Sequence, residues 1–200
     1  MVYPVCSDGK CLYGVACLTH EKKEWCGVLQ KRHYMPRLRL EDVSAALDSL
    51  YFASTNPDIW KRFYRLQWVQ HQLQDSKHIL IDQKTLTHYW IQRYLCTLIH
   101  DVWQEQQYAL HIPVTRTIAT VQDAEQSIQA DVQTGSTRLI GWSILYYVYV
   151  RSDLNITLRT FSDIAHIHER TIRRYKHRAT QTLLHELIER EIALHHQTKV

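Results

Sequence analysis

Glycine and proline are scarce, 5 and 4 among 200 residues. So small a supply excludes collagen-like, linker-like and low-complexity chains. It also argues against a loop-rich β-sandwich, whose turns recur every ~8–12 residues. Long apolar runs are missing as well. The most apolar stretch, Leu139 to Val150, is interrupted by Gly141, Ser143 and several tyrosines. It falls short of the ~18 residues that a membrane span needs, so no membrane partner is expected. Met1-Val2-Tyr3-Pro4-Val5-Cys6 lacks the basic start and apolar core of a signal peptide, and the expected location is cytoplasmic. The net charge is only +4, which names no partner until it is resolved along the chain.

Catalytic patterns are lacking too. There is no glycine-rich phosphate loop, no Gly-x-Ser-x-Gly elbow, no HExxH and no His-x-Glu…Cys-x-x-Cys pattern, so the sequence proposes neither an enzyme nor a cofactor. Five cysteines are present. In a reducing compartment they are expected as free thiols or metal ligands rather than disulfides. Zinc would draw on Cys6, Cys11, Cys17 and Cys26, with His20 or His33. Their spacings of four, five and eight intervening residues lack the CxxC hairpin of most structural zinc sites. Incidental free thiols are the favoured reading, and no metal site is expected.

What is present is enough apolar material for a sizeable core: 45% hydrophobic and 22% charged residues. Residues 1–36 hold four of the cysteines and read as irregular or short-stranded. After Pro36, helical periodicity takes over. Leu40, Val43, Leu47 and Leu50 recur at three- and four-residue spacing, with Glu41 and Asp42 suited to a first turn. Asn56-Pro57-Asp58 is a helix-start signal, followed by an apolar face of Ile59, Phe63, Leu66, Val69 and Leu73. Leu86, Trp90, Tyr94, Leu95, Leu98, Ile99 and Val102 form a broader face, as in the central helix of a bundle. Pro113 interrupts the chain, and Val121, Ala124 and Ile128 mark a shorter helix ending near Gly135. The expected fold is all-α: a helical N-terminal module over 1–135 and a second domain over 136–200, with Ser136 or Thr137 capping its first helix.

The second domain carries the information. Leu139, Trp142, Leu145, Tyr146 and Tyr149 describe an apolar helix, Asp153-Leu154-Asn155-Ile156 a polar break, and Thr157 a cap. Phe161, Ile164, Ala165 and Ile167 fit a short second helix, and Ile172 and Tyr175 begin a third. Apolar residues at these points, with Ser162 as the small contact residue, match the helix-turn-helix template. His166 stands at the turn position most often held by glycine. From Arg170 to Arg178 the chain has Arg170, Arg173, Arg174, Lys176, His177 and Arg178 and no acid, whereas 101–136 carries Asp101, Glu105, Asp123, Glu125 and Asp131 against Arg116 alone. A localised basic run on the groove-entering helix is what duplex DNA requires. By position, His168, Glu169, Arg170, Arg173 and Arg174 fall to base readout. Arg159, Lys176, His177 and Arg178 fall to backbone anchoring, and Thr171 to a phosphate contact or a cap.

The stretch Thr157 to Leu187 resembles the region-four helix-turn-helix of bacterial sigma factors and related regulators. The string Glu-Arg-Thr-Ile-Arg-Arg-Tyr (169–175), then Ala179 and Leu183, is similar to their recognition helix and its continuation. Residues 1–135 show no counterpart of sigma region two. The resemblance implies a transcription regulator that binds double-stranded DNA, with RNA polymerase or another protein meeting the N-terminal bundle. Two other readings stand beside it: an accessory DNA-binding subunit of a transposition or defence complex, and a protein-interaction module whose basic helix meets an acidic partner. The stripe Ala179, Leu183, Leu187, Ile188 and Ile192 should extend the third helix as one rod. That stripe either packs on the Trp142 helix or forms a homodimer seam; packing is favoured, because a three-helix domain needs the face for its own core.

Overall fold

Local signals in the chain set most of the helix starts. The computed structural model describes residues 6–7, 10–11, 38–52, 57–76, 81–112 and 118–197. It falls into two units, Met1–Pro36 and Arg37–Val200. In the first, β1 (Cys6–Ser7) and β2 (Lys10–Cys11) pair antiparallel with Cys6 opposite Cys11. Cys17, Cys26, His20 and His33 lie outside the described residues, as do Asn56, Pro113 and Arg116.

The second unit is all-α. Its helices are α1 (Leu40–Phe52), α2 (Pro57–Phe63), α3 (Gln67–Asp75), α4 (Gln83–Ala109), α5 (Val121–Gln133), α6 (Thr137–Leu145), α7 (Leu158–Ala165) and α8 (Glu169–Gln197). A π-helical turn over Tyr146–Val150 prolongs α6, and a 3-10 turn over Ser152–Leu154 follows it. The sequence boundary near Gly135 is a turn between α5 and α6 inside this unit, where Gly135 takes φ +68° and Ser136 accepts from the Leu139 amide.

α1 begins as expected. Asp42 accepts from the Arg39 amide at 2.8 Å and from Arg62 Nη1 at 2.6 Å, which closes the helix start and ties it to α2. α2 starts at Pro57, a residue whose fixed φ suits the first helical position. The apolar face that follows is split between two helices. Phe63, Leu66, Val69 and Leu73 are all buried, but the chain leaves the helix at Tyr64 and re-enters it at Gln67. The cause is distant in sequence. Leu66 offers no side-chain cap to α3, and the buried carboxylate of Glu191 on α8 accepts from the Gln67 and Trp68 amides at 2.8 and 3.0 Å.

α4 is the central helix, capped by Asp82, which accepts from the Lys84 and Thr85 amides. Leu86, Tyr94, Leu95, Leu98, Ile99 and Val102 are buried along it, while Trp90 is half-buried and donates to Ser76 Oγ at 3.2 Å. On α5, Ala124 and Ile128 face the core, but Val121 is exposed at the first helical position, one turn before the packed stretch. Asp131, one of the acids counted in 101–136, does not lie on the surface. It is fully buried and accepts from Trp103 Nε1 at 2.9 Å and Gln107 Nε2 at 2.8 Å, joining α5 to α4. Burial raises its pKa, opposed in part by the hydrogen bonds from Gln107 and Trp103.

α8 is one rod of 29 residues, packed most closely on α6 and reaching α1, α7 and α3 as well. Ala179, Leu183 and Leu187 are buried within this unit, so that part of the stripe is spent in its own core; Ile192 is exposed. At the α6–α8 crossing, a Cβ on Gly141 would lie 3.0 Å from Ala179 Cβ and 3.2 Å from the Tyr175 carbonyl oxygen. Only a residue without a side chain lets the two backbones approach this closely.

Candidate nucleic-acid interface

The segment from Arg151 to Arg178 is built by short-range chemistry. Arg151 donates to both oxygens of Asp153 at 2.9 and 2.8 Å and to the Ile118 carbonyl at 2.5 Å, which anchors the chain as α6 ends. Asn155 turns it at φ 53°. Thr157 then caps α7 by accepting from the Thr160 amide at 3.1 Å.

α7 ends in a left-handed turn. His166 adopts φ 53°, the Ile167 amide donates to the Ser162 carbonyl at 3.2 Å, and the His166 amide donates to the Asp163 carbonyl at 3.3 Å. This is the Schellman pattern, usually served by glycine. Ser162 adds a second closure, its hydroxyl donating to the Ile167 carbonyl at 2.5 Å. The small residue therefore fixes the turn itself. Phe161 and Ala165 are buried on α7 and Ile172 on α8, with Ile164, Ile167 and Tyr175 partly buried beside them.

The predicted residues fall into distinct groups. His168 caps α8: its Nδ1 accepts from the Arg170 amide at 3.1 Å. Thr171 is thus not the cap; it lies half-buried in the first turn. Glu169 accepts from Arg173 Nε at 3.0 Å and Nη2 at 2.6 Å, an ion pair one turn long on the helix surface. Arg173 holds the Glu169 carboxyl below the usual range, with smaller contributions from Arg159 and His168. Arg159 on α7 therefore belongs to the same electrostatic neighbourhood.

Arg170, Arg173, Arg174, His177 and Arg178 are all exposed. At helical spacing they share the face opposite Ile172, Ala179 and Leu183. Arg174 also lies 5.8 Å from the Tyr175 ring centroid. Lys176 is placed differently. It is half-buried, its Nζ 3.9 Å from Asp48 Oδ1 on α1 and 5.1 Å from the Tyr149 ring centroid. Tyr149 donates to the same carboxylate at 3.2 Å. Lys176 thus faces the bundle, off the basic face.

Asp48 and Tyr149 were not among the expected site residues. The phase of α8 carried the signal, because position 176 lies one turn from Ile172 on the core flank. The arrangement as a whole presents arginines in a row on a capped helix start, a geometry able to hold phosphates and flat hydrogen-bonding edges.

The fold therefore defines an all-α protein. No protein-family model matches the chain, and neither a curated protein nor a solved structure is significantly similar to it. Among the described residues, no helix is long and apolar enough to cross a membrane, and no group of three or more His, Cys, Asp or Glu could hold a metal ion.

Proposed function

We propose that this protein binds double-stranded DNA through α7, the His166 turn and α8 acting as a helix-turn-helix, and that it serves as a transcription regulator of the kind its likeness to sigma region four implies. One observation carries the reading. Arg170, Arg173, Arg174, His177 and Arg178 occupy a single exposed face at the start of a helix whose opposite face is core. Localised cationic charge of this kind supplies the phosphate attraction, and guanidinium forks pair with guanine edges in the major groove.

In this reading Arg170 and Arg174 are the base readers, each unpaired with any acid among the described residues. Glu169 and Arg173 act as a preformed pair, so their side chains enter the groove already ordered. Arg159, His177 and Arg178 anchor the backbone. Lys176 contributes no phosphate contact, because Asp48 holds it.

The test is selection from a random duplex library at near-physiological salt. Enrichment of a motif is the expected result, and no enrichment would overturn specific recognition. Arg174→Ala should then weaken the selected site more than random duplex, by about 1–3 kcal/mol. Equal losses on both would reassign Arg174 to a phosphate.

A further inference from the structure

β1 and β2 bring two cysteines into register. Cys6 stands directly opposite Cys11, and Ser7 opposite Lys10. Four residues, Ser7-Asp8-Gly9-Lys10, separate the cysteines in the sequence, and Asp-Gly at their centre is the dipeptide of a two-residue hairpin turn. Turn length sets the register of a hairpin, so sequence and backbone agree on which residues face each other. Residues directly opposite in an antiparallel pair share one face of the strands. Their Cα atoms stand ~4.5 Å apart, or ~5.5 Å where they exchange hydrogen bonds. Both separations fall within the ~4.4–6.8 Å that a disulfide spans. The backbone therefore needs no rearrangement to accept a bond between the two positions, and closing so short a loop costs little chain entropy.

Cys96 supplies the contrast. It is a free thiol, half-buried on α4, and burial raises its pKa, which keeps it protonated and slow to exchange. A disulfide that forms in a reducing compartment is characteristically transient and redox-sensing rather than structural.

We propose that Cys6 and Cys11 are a reversible redox pair, a dithiol that glutathione disulfide converts into an intrachain disulfide. One cysteine thiolate attacks a sulfur of glutathione disulfide, forming a mixed disulfide and releasing one glutathione thiolate. The other cysteine then attacks the first cysteine's sulfur and releases the second. Two protein thiols are oxidised, one glutathione disulfide is reduced to two glutathiones, and the two protons lost by the cysteines end on the departing thiolates. The pair belongs to the first unit, and the assignment does not depend on DNA binding.

The test treats the full chain with glutathione disulfide, blocks the remaining thiols with N-ethylmaleimide and digests with trypsin. Cleavage after Lys10 and Lys22 leaves residues 1–10 and 11–22 joined only where a disulfide links them, which mass spectrometry reads. The joined product should form, revert on adding glutathione, and vanish in Cys6→Ser and in Cys11→Ser. It should persist in Cys17→Ser, which removes the other thiol of the second peptide. In guanidinium chloride, where the register is gone, linkage should need at least roughly tenfold more glutathione disulfide. Four results would each overturn the proposal: no joined product, its loss in Cys17→Ser, equal linkage in denaturant, or a reduced pair that resists N-ethylmaleimide until a zinc chelator is added.

Discussion

Gly141→Ala is the most direct probe of the helix pair that holds the basic face in place. A methyl group at this position would stand 3.0 Å from Ala179 Cβ and 3.2 Å from the Tyr175 carbonyl oxygen. Non-bonded carbons settle at about 3.5–4.0 Å, so α6 and α8 must separate by several tenths of an ångström. Neither neighbour can swing aside, since one is a β-carbon and the other backbone. Overpacking costs about 1–3 kcal/mol, and against a β-carbon and a backbone oxygen that cannot yield the upper part of that range applies, about 2–3 kcal/mol. Alanine returns up to ~1 kcal/mol of helix propensity over glycine, which leaves a net loss of about 1–2 kcal/mol. For a chain of this size that corresponds to a fall in Tm of roughly 2–8 °C. Urea unfolding followed at 222 nm reads the loss directly, with the m-value unchanged. Ala179→Gly in the same chain removes the closer contact, so the double variant should be less destabilised than the sum of its parts by at least about 0.5 kcal/mol. If Gly141→Ala proved as stable as the parent, or gained the propensity term outright, the close crossing of α6 and α8 would be refuted.

Glu191→Ala removes the acceptor for two α3 amides and should cost about 2–3 kcal/mol in urea, with Gln67 and Trp68 amide exchange accelerated; a loss within about 0.5 kcal/mol would show that α3 does not depend on it. Asp131 has a raised pKa, so the folded chain keeps a proton that the unfolded chain has already lost above its ordinary value near ~3.9. Its contribution to stability therefore falls as pH climbs from that value through the raised one. Asp131→Asn should flatten this slope, and parallel stability-against-pH curves for the two proteins would refute the assignment. Under the proposed DNA binding, Asp48→Ala frees Lys176 for a phosphate contact and should steepen the dependence of log Kd on log salt by about 1; an unchanged slope would mean that Asp48 does not withhold it.

Features decided by near neighbours were legible in the sequence. Pro57 opens α2, Ser136 and Thr157 cap their helices, and His166 takes the left-handed turn, each within a few residues of the atoms it serves. The long run of α8 was equally plain, since nothing from Ala179 onward breaks its period. Features decided across the fold were not. The break at Tyr64 follows from a carboxylate at position 191, and the burial of Asp131 from Trp103 and Gln107 on another helix. The basic run looked uniform because charge alone does not tell inward from outward; helical phase does, and it separates Lys176 from Arg174.

The continuity of α8 constrains how a basic face at its start can be controlled. At 1.5 Å per residue its 29 residues extend about 43 Å. The arginine face occupies the first third. The remainder is buried through Leu183 and Leu187 and ends by holding the start of α3 with Glu191, about 25 Å beyond Arg174. No linker separates the face from the bundle. Swinging one against the other would mean breaking a helix whose inner stripe is core. A DNA reader built this way meets its site already ordered, with little entropy left to lose on docking. Anything that bound the bundle would act on the face through small shifts of the rod rather than through a hinge. The Gly141 crossing is where such a shift would register, because it lies directly behind Tyr175 and Ala179, between the last arginines of the face and the first buried turns of the stripe.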